Sequence, residues 1–390
     1  MYKKIVFFLF VSLVIIGIFR LRWLLAIYYN NRGLNFLEKG ENALAIDYFY
    51  KSLKINPELA ETHYNLAVAF EEKYAYEKAI EEYKKALELK PDFLKAGYNL
   101  ANLYYQKMNL YEEALEEIDK LIKISPQYTR IKELKDSIIM DYSTFCLNAG
   151  LDYLEEGNFE KAEEEFNRVL SLKPDFVVAK YNLAILYLKR KEKDKAKEKL
   201  KEIITDNPDY PFSYRLLGSI YFDEGNFEEA RRYYEEVVKI MPQDSQAHND
   251  LAQTYTKLEE YDKAINEFQK ALSLKPDNSV ILYGLASTYR DKGDYENALL
   301  YYKRLKELNP DYPFVEEDLK GIYATLEKAK EEKKSVEKEK VDILYLKNGR
   351  KLEGEIIKET DEQLVLKIVV GQTQGTVTVS KSEIERIEHR

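Results

Sequence analysis

Prolines at positions 57, 91, 126, 174, 208, 242, 276 and 310 recur with separations of 34, 35, 48, 34, 34, 34 and 34 residues. An alanine stands twelve residues before each of them, at Ala45, Ala79, Ala114, Ala162, Ala196, Ala230, Ala264 and Ala298. A period of this length, held over most of a chain, belongs to stacked helix-turn-helix units and excludes one conventional globular core. Each unit then contains a helix A, a turn, a helix B and a proline that stops helix B.

The eighth position of each unit is small: Gly33, Ala67, Ala101, Gly150, Ala184, Gly218, Ala252 and Ala286. Three residues later comes an aromatic, Phe36, Phe70, Tyr104, Tyr153, Tyr187, Tyr221, Tyr255 or Tyr289. Small side chains allow helix A to approach helix B, and the aromatics fill the space beside them. At the twenty-fourth position helix B supplies Phe49, Tyr83, Ile118, Phe166, Leu200, Tyr234, Phe268 and Tyr302, so both helices carry apolar residues at helical spacing.

These eight units in register resemble the tetratricopeptide repeat family over roughly residues 26 to 325. The fold expected is mainly α: a solenoid of about eight repeats plus a capping helix, followed by a small all-β barrel. The resemblance implies a right-handed superhelix whose concave face, lined by the A helices, binds peptides or folded partners. In the third unit Tyr104 to Ala114 is one residue longer than elsewhere, which places an insertion in the turn near Met108 and Asn109. Between Pro126 and Pro174 lie 14 residues beyond the period, about 3.9 helical turns. Ile131 to Tyr142 therefore either extends the next A helix in phase or forms a separate short helix. The organisation read from the sequence is an anchor at 1–25, repeats one to three at 26–126 and the insert at 127–142. Repeats four to eight with their cap follow at 143–326, then a charged linker at 327–340 and a β module at 341–390.

After Lys3 and Lys4, residues Ile5 to Phe19 carry no charge. Fifteen helical residues span about 22 Å, short of a hydrocarbon core of about 30 Å, but continuation through Trp23 to Tyr29 suffices if Arg20 and Arg22 snorkel. A cleaved signal peptide fits the run's length too. Without a small-x-small site or a nearby cysteine, an uncleaved membrane anchor is the favoured reading. The positive charges are nearly balanced across the run, and the short tail ahead of it favours a cytoplasmic N-terminus in a bacterial inner membrane with the repeats on the exported side.

Beyond Pro310, Asp318 to Leu326 reads as a capping helix with Leu319 and Tyr323 apolar. Glu327 to Lys340 is almost wholly charged, a solvated helix or a flexible tether. From Val341 the period changes to two, with Asn348-Gly349 as a hairpin and strands at Leu352 to Glu359, Leu364 to Val369, Gly375 to Val379 and Ile384 to Glu388. With Gly354 in a bent strand, this order resembles the opening of Sm-like and SH3-like barrels. The RNA-binding signature of Sm-like families is missing, because Asp361 is followed by Glu-Gln-Leu and no Arg-Gly occurs. Proline-rich peptide binding needs an aromatic groove, and Tyr345 is the module's only aromatic residue.

A net charge of −9 argues against an extended nucleic-acid surface. The lone Cys146 forms no internal disulfide. His63, His248 and His389 are widely separated, and no phosphate-cradling loop or Cys/His metal spacing occurs. No cofactor and no enzymatic activity are therefore expected. The sixth-position residues Asn31, Asn65, Asn99, Asn148 and Asn182, continued by Asp250, form a ladder. The resemblance places such residues in the groove, where side-chain amides hold a peptide backbone, although asparagine here is also common in the family at large. Groove positions in repeats four to six carry Leu151, Leu154, Val178, Ile185, Leu188, Phe212 and Phe222, an apolar patch that a partner or the protein's own insert covers. The paired basic residues with which chaperone-binding members clamp a terminal carboxylate are not evident.

The function expected is a membrane-anchored scaffold for protein-protein interactions, holding a peptide or helical segment. The alternative is a structural assembly component in which the terminal module self-associates and the solenoid is a spacer.

Overall fold

A computed structural model describes residues 2–338, 342–370 and 373–389. Glu339, Lys340 and Val341, where the charged segment meets the β module, lie outside the described residues. The A helices are α1 (Tyr2–Glu38), α3 (Ala60–Glu71), α5 (Leu94–Met108), α7 (Thr129–Glu155), α9 (Val177–Lys189), α11 (Pro211–Asp223), α13 (Ser245–Lys257) and α15 (Ser279–Lys292). The B helices are α2 (Asn42–Ile55), α4 (Tyr76–Leu89), α6 (Tyr111–Ile124), α8 (Phe159–Leu172), α10 (Lys193–Asp206), α12 (Phe227–Ile240), α14 (Tyr261–Leu274) and α16 (Tyr295–Leu308). A last helix, α17 (Val315–Lys338), packs on α16. The chain divides into two units, Met1–Ile203 and Ile204–Arg390, with the division inside α10.

The prolines act one residue late. The residue ahead of each is forced out of the helical region by the pyrrolidine ring, and Asn56, Lys90, Lys173 and Lys275 accordingly sit at φ near −140° with ψ between 82° and 98°. The turn from A to B always passes through a left-handed residue. Glycine takes that place at Gly40, Gly157, Gly225 and Gly293, but Tyr74, Asn109, Lys191 and Glu259 hold positive φ with a side chain present, at a steric cost of roughly 1 kcal/mol each. The extra residue of the third unit falls here, with α5 running to Met108 and Asn109 at φ 55° closing it.

Packing follows the eighth and twenty-fourth positions. All eight period alanines are fully buried, as are Phe49, Tyr83, Ile118, Phe166, Leu200 and Tyr302. A Cβ added at Gly33 would lie 2.5 Å from the Phe49 ring, and one at Gly150 would lie 2.6 Å from Phe166. The helix axes approach so closely there that the aromatic ring occupies the volume of a methyl group.

The additional residues after Pro126 lie in α7, an unbroken helix of 27 residues that serves two neighbours. Its first half sends Ile131, Leu134 and Ile138 into the core of the first three repeats, closing their open end. Its second half sends Leu154 against Phe166, Leu183 and Leu186 as the A helix of the fourth repeat. The insert therefore covers repeat three, and of the apolar patch that it or a partner is expected to cover, Leu154 packs under α9 instead.

Helix α17 begins earlier than the expected cap and continues through much of the charged segment. Its buried stripe is Val315, Leu319 and Ile322. Tyr323, expected in that stripe, is 44% exposed, because the i, i+4, i+7 series starting at Val315 turns it outward.

Beyond it, β1 (Asp342–Leu346), β2 (Lys351–Glu359), β3 (Gln363–Val370), β4 (Thr373–Ser380) and β5 (Ile384–His389) form an antiparallel sheet in the order β4-β3-β2-β1-β5. A single 3-10 turn, Lys381–Glu383, precedes β5. Leu344, Leu346, Leu364, Leu366 and Val379 make its core. At Gly354 any side chain would collide with the Lys367 carbonyl oxygen, and β2 shifts register just beyond, between Ile356 and Lys358. This is the bend that the glycine permits.

At the other end, Phe10–Glu38 is the one stretch among the described residues long and apolar enough to cross a membrane. Phe10, Ile16, Ile18, Phe19 and Leu21 are exposed, whereas Ala26 in the same helix is fully buried against the first repeat. No break separates the apolar segment from the first A helix.

Candidate functional site

The A helices carry every residue of the sixth-position ladder, and the structure distributes them unequally. Asn31 on α1 and Asn148 on α7 are exposed. Asn65 is buried and donates its amide to Asn30 Oδ1 at 2.9 Å. Asn182 is buried and donates to the Val178 carbonyl at 2.8 Å within its own helix. The amide of Asn99 lies 3.3 Å from the hydroxyls of both Tyr64 and Tyr83. Asn182 thus spends a donor on its own helix, Asn65 on the neighbouring α1 and Asn99 on two tyrosine hydroxyls, so a ladder of equivalent free amides is not what the chain presents.

Asp250, on α13, accepts from Gln246 Nε2 at 2.6 Å and lies 3.8 Å from Arg215 Nε. Burial pushes its carboxyl above the usual range, and hydrogen bonds from Gln246 and Asn249 with the Arg215 charge oppose this only in part. The ladder changes character here, from an amide that donates to a carboxylate already facing an arginine.

The apolar residues separate in the same way. Leu154, expected on an open face, is 6% exposed because α9 covers it with Leu183 and Leu186. Leu151 and Ile185 are half-buried against the same cluster. Leu188 is half-buried and Val178 remains exposed. In the second unit Phe212 is 44% exposed, its ring 5.3 Å from that of Tyr210. Phe222 meets Phe227 edge-on at 5.3 Å.

Two recesses lie on these helix faces, one in each unit. In the first unit a recess of about 740 Å³ opens around Asn99. Tyr64, Phe93 and Tyr98 supply its aromatic walls, and Lys90, Lys95 and Arg130 its cations. Lys90 is engaged, 3.3 Å from Glu61 and over the Phe93 ring at 4.9 Å. Lys95 and Arg130 are exposed and form no ion pair among the described residues. In the second unit a recess of about 340 Å³ is lined by Phe222, Gln253, Lys257, Tyr283, Ser287 and Arg290. Its arginine is held by Asp318 and by Asp291 at 3.0 Å, and Tyr283 donates to Asp318 at 3.1 Å.

The aromatic walls of the first recess are what reading the ladder alone misses. Tyrosine stands at the fifth position in Tyr64, Tyr98, Tyr181 and Tyr283, one residue before the ladder. That recurrence is the signal by which the wall could have been found.

The histidines have structural partners. His63 Nε2 donates to the Pro57 carbonyl at 2.9 Å, with Nδ1 at 2.5 Å from Glu82, and His248 repeats this with Pro242 at 3.0 Å and Glu267 at 2.6 Å. Each ties a proline turn to the following B helix. Burial pushes the Glu82 carboxyl up, but hydrogen bonds from His63 and Lys85 outweigh it and hold the group below its usual value. His389, on β5, lies 2.6 Å from Asp342. Cys146 is fully buried, and burial with a hydrogen bond to Glu165 pushes its thiol up to about 12. Among the described residues no group of His, Cys, Asp or Glu is placed to hold a metal ion.

Three tetratricopeptide repeat families match, one at 209–277, one at 70–138 and 153–220, and one at 30–92 and 249–313. Together they cover more than half of the chain, which is a tetratricopeptide-repeat protein. No curated protein matches the sequence. Among solved structures, a MamA protein is similar at 24% identity and TM-score 0.40, covering 44% of this chain and 93% of its own. MamA 41-end from Desulfovibrio magneticus RS-1 is similar at 20% identity and TM-score 0.41, covering 44% and 98%. The P58(IPK) TPR domain is similar at 18% identity and TM-score 0.31, covering 78% and 99%. Nothing about this chain's partners follows from likenesses of that size.

Proposed function

We propose that this chain is a membrane-anchored scaffold that holds an extended or helical segment of a protein partner against its A helices. The observation that carries the reading is the recess around Asn99, where two cations without ion pairs among the described residues stand among tyrosines and a phenylalanine. Such a surface suits a segment bearing carboxylate side chains, which Lys95 and Arg130 pair while Tyr64, Phe93 and Tyr98 cover its apolar parts. With both amide hydrogens of Asn99 directed at the Tyr64 and Tyr83 hydroxyls, its Oδ1 accepts from a backbone N–H of the segment. Asn31 and Asn148, exposed on their helices, extend the contact, and Leu188 and Val178 offer apolar anchorage in the same unit, while Phe212 and Phe222 offer it separately in the second.

The apolar part of α1 supports the anchor, which holds the repeats at a membrane surface. The five-stranded sheet, in this reading a small barrel of SH3-like or Sm-like kind, docks a second partner. A structural reading has its own support in the sheet order, where β4 and β5 are the outer strands and offer edges for strand pairing between copies.

The test is photocrosslinking in native membranes, with a photoreactive residue replacing Tyr98, Phe222 or, on an outer B-helix surface, Glu116. A distinct protein adduct at Tyr98, absent at Glu116, supports the scaffold. Adducts only between copies of the chain move the weight to the assembly reading.

A further inference from the structure

A third recess, of about 770 Å³, lies where the apolar part of α1 meets the first repeat. Ile16, Phe19, Arg20 and Trp23 recur at i, i+3, i+4 and i+7 and so share one helix face. That face continues to Ala26, whose carbonyl accepts from Ser52 on α2 at 2.8 Å. Helix α2 runs back alongside α1, and its end, with the turn Ile55 to Glu58, overhangs the face and makes the recess. Arg22 reaches up to that overhang and donates to the Ile55 carbonyl at 3.3 Å.

The charge state of this recess is unlike that of most arginines in the repeats. Arg168, Arg190, Arg231 and Arg290 all pair with carboxylates. Arg20 and Arg22 form no ion pair among the described residues, although Glu58 lines the same recess. The recess also has a definite depth. From Lys4 to Trp23 the helix rises about 28 Å, close to the roughly 30 Å of a hydrocarbon core. Arg20, Arg22 and Trp23 therefore fall at the headgroup level when α1 spans, with Ile16 and Phe19 one turn deeper.

We infer that this recess binds an anionic phospholipid, with Arg20 and Arg22 on its phosphate and Ile16, Phe19 and Trp23 against the first carbons of its acyl chains. The inference rests on the membrane-anchor reading. Two guanidinium groups suit a phosphodiester because each presents paired donors to its oxygens, and Trp at this level has one wet and one apolar edge. Bound lipid fills the space under the α2 turn and fixes the first repeat against the membrane surface.

Trp23 is the chain's only tryptophan and reports directly on the recess. The full-length protein in dodecyl maltoside is titrated with dihexanoyl phosphatidylglycerol, with dihexanoyl phosphatidylcholine, and with inorganic phosphate, following Trp23 emission. The expected result is a saturable change with phosphatidylglycerol, a much weaker one with phosphatidylcholine and none with phosphate. The double variant R20Q/R22Q weakens the phosphatidylglycerol response about thirtyfold, roughly fivefold for each arginine, at low ionic strength. R20K/R22K, which keeps the charge but loses the paired donors, falls between the parent and R20Q/R22Q, and circular dichroism of both variants matches the parent. Equal responses to the two lipids, an equal response to phosphate, or an unchanged R20Q/R22Q variant overturns the lipid site. Carbonate extraction of native membranes separates the two ideas. Release of the full chain sinks the anchor and the lipid site with it, whereas retention without headgroup selectivity sinks the lipid site alone.

Discussion

The recess of the first unit and that of the second both carry a fifth-position tyrosine, yet they hold their charges differently. Around Asn99, Lys95 and Arg130 stand without ion pairs among the described residues. Around Phe222, Arg290 is locked to Asp318 and Asp291, and Arg215 nearby in sequence faces Asp244 and Asp250. An arginine that already bridges successive A helices contributes to the stack. A cation that bridges nothing is available to a partner. In the proposed scaffold, the same kind of repeat thus serves cohesion in one place and recognition in the other.

The largest effect that separates them comes from removing the cations. Arg290→Ala leaves the Asp318 carboxylate, with a side chain 15% exposed, without its ion pair, and should lower stability by about 2 kcal/mol. Lys95→Ala with Arg130→Ala should stay within about 0.5 kcal/mol of the parent. Urea unfolding of the three proteins checks both values, and equal losses would erase the distinction.

Next in size is a left-handed turn. Glu259 holds φ at 60°, where the corresponding turn residue two repeats earlier is not glycine but the one before the second unit's first B helix, Gly225, is. Glu259→Gly should raise stability by about 1 kcal/mol, and a lowered midpoint in urea would contradict the steric account.

Acid separates the units in sign. Glu82, in the first, has its folded value held below 4.5, so its contribution is present above pH 4.5 and is lost as pH falls through the lower folded value. Asp250, in the second, has its folded value raised above 3.8, so its ionised form weighs against folding and that penalty is relieved as pH falls through the raised value. The stability advantage of the parent over Glu82→Gln should therefore shrink on acidification, while that of Asp250→Asn over the parent should shrink. Parallel pH profiles for the two variants would refute this.

The smallest effect is the absence of one. Burial and the raised thiol of Cys146 predict no alkylation by iodoacetamide at pH 8 in the folded chain, with full modification in urea, as read by intact mass.

The fold was legible because its determinants are local and repeated. Gly150 against Phe166 needs only two helices in register, and the period supplies the register eight times. The site was less so, because its state depends on which neighbour reaches it. Asn65 and Asn182 share a position with Asn31, but Asn30 engages one amide and the Val178 carbonyl the other. Leu154 has groove spacing, yet α9 lies over it. Tyr323 follows an apolar pattern counted from Asp318, whereas the helix starts at Val315. Spacing assigns a face, and only the next element decides whether that face is covered.

The most direct test of the difference between the recesses uses the partner segment that crosslinking at Tyr98 captures. Synthesised as a peptide, it is titrated against the full-length chain, K95E/R130E and R290A over a range of salt concentrations. We expect K95E/R130E to lose about 2 kcal/mol or more of binding, together with most of the salt dependence, while R290A binds as the parent does. Unchanged affinity of K95E/R130E, or an equal loss in R290A, would contradict the assignment of recognition to the first recess and cohesion to the second.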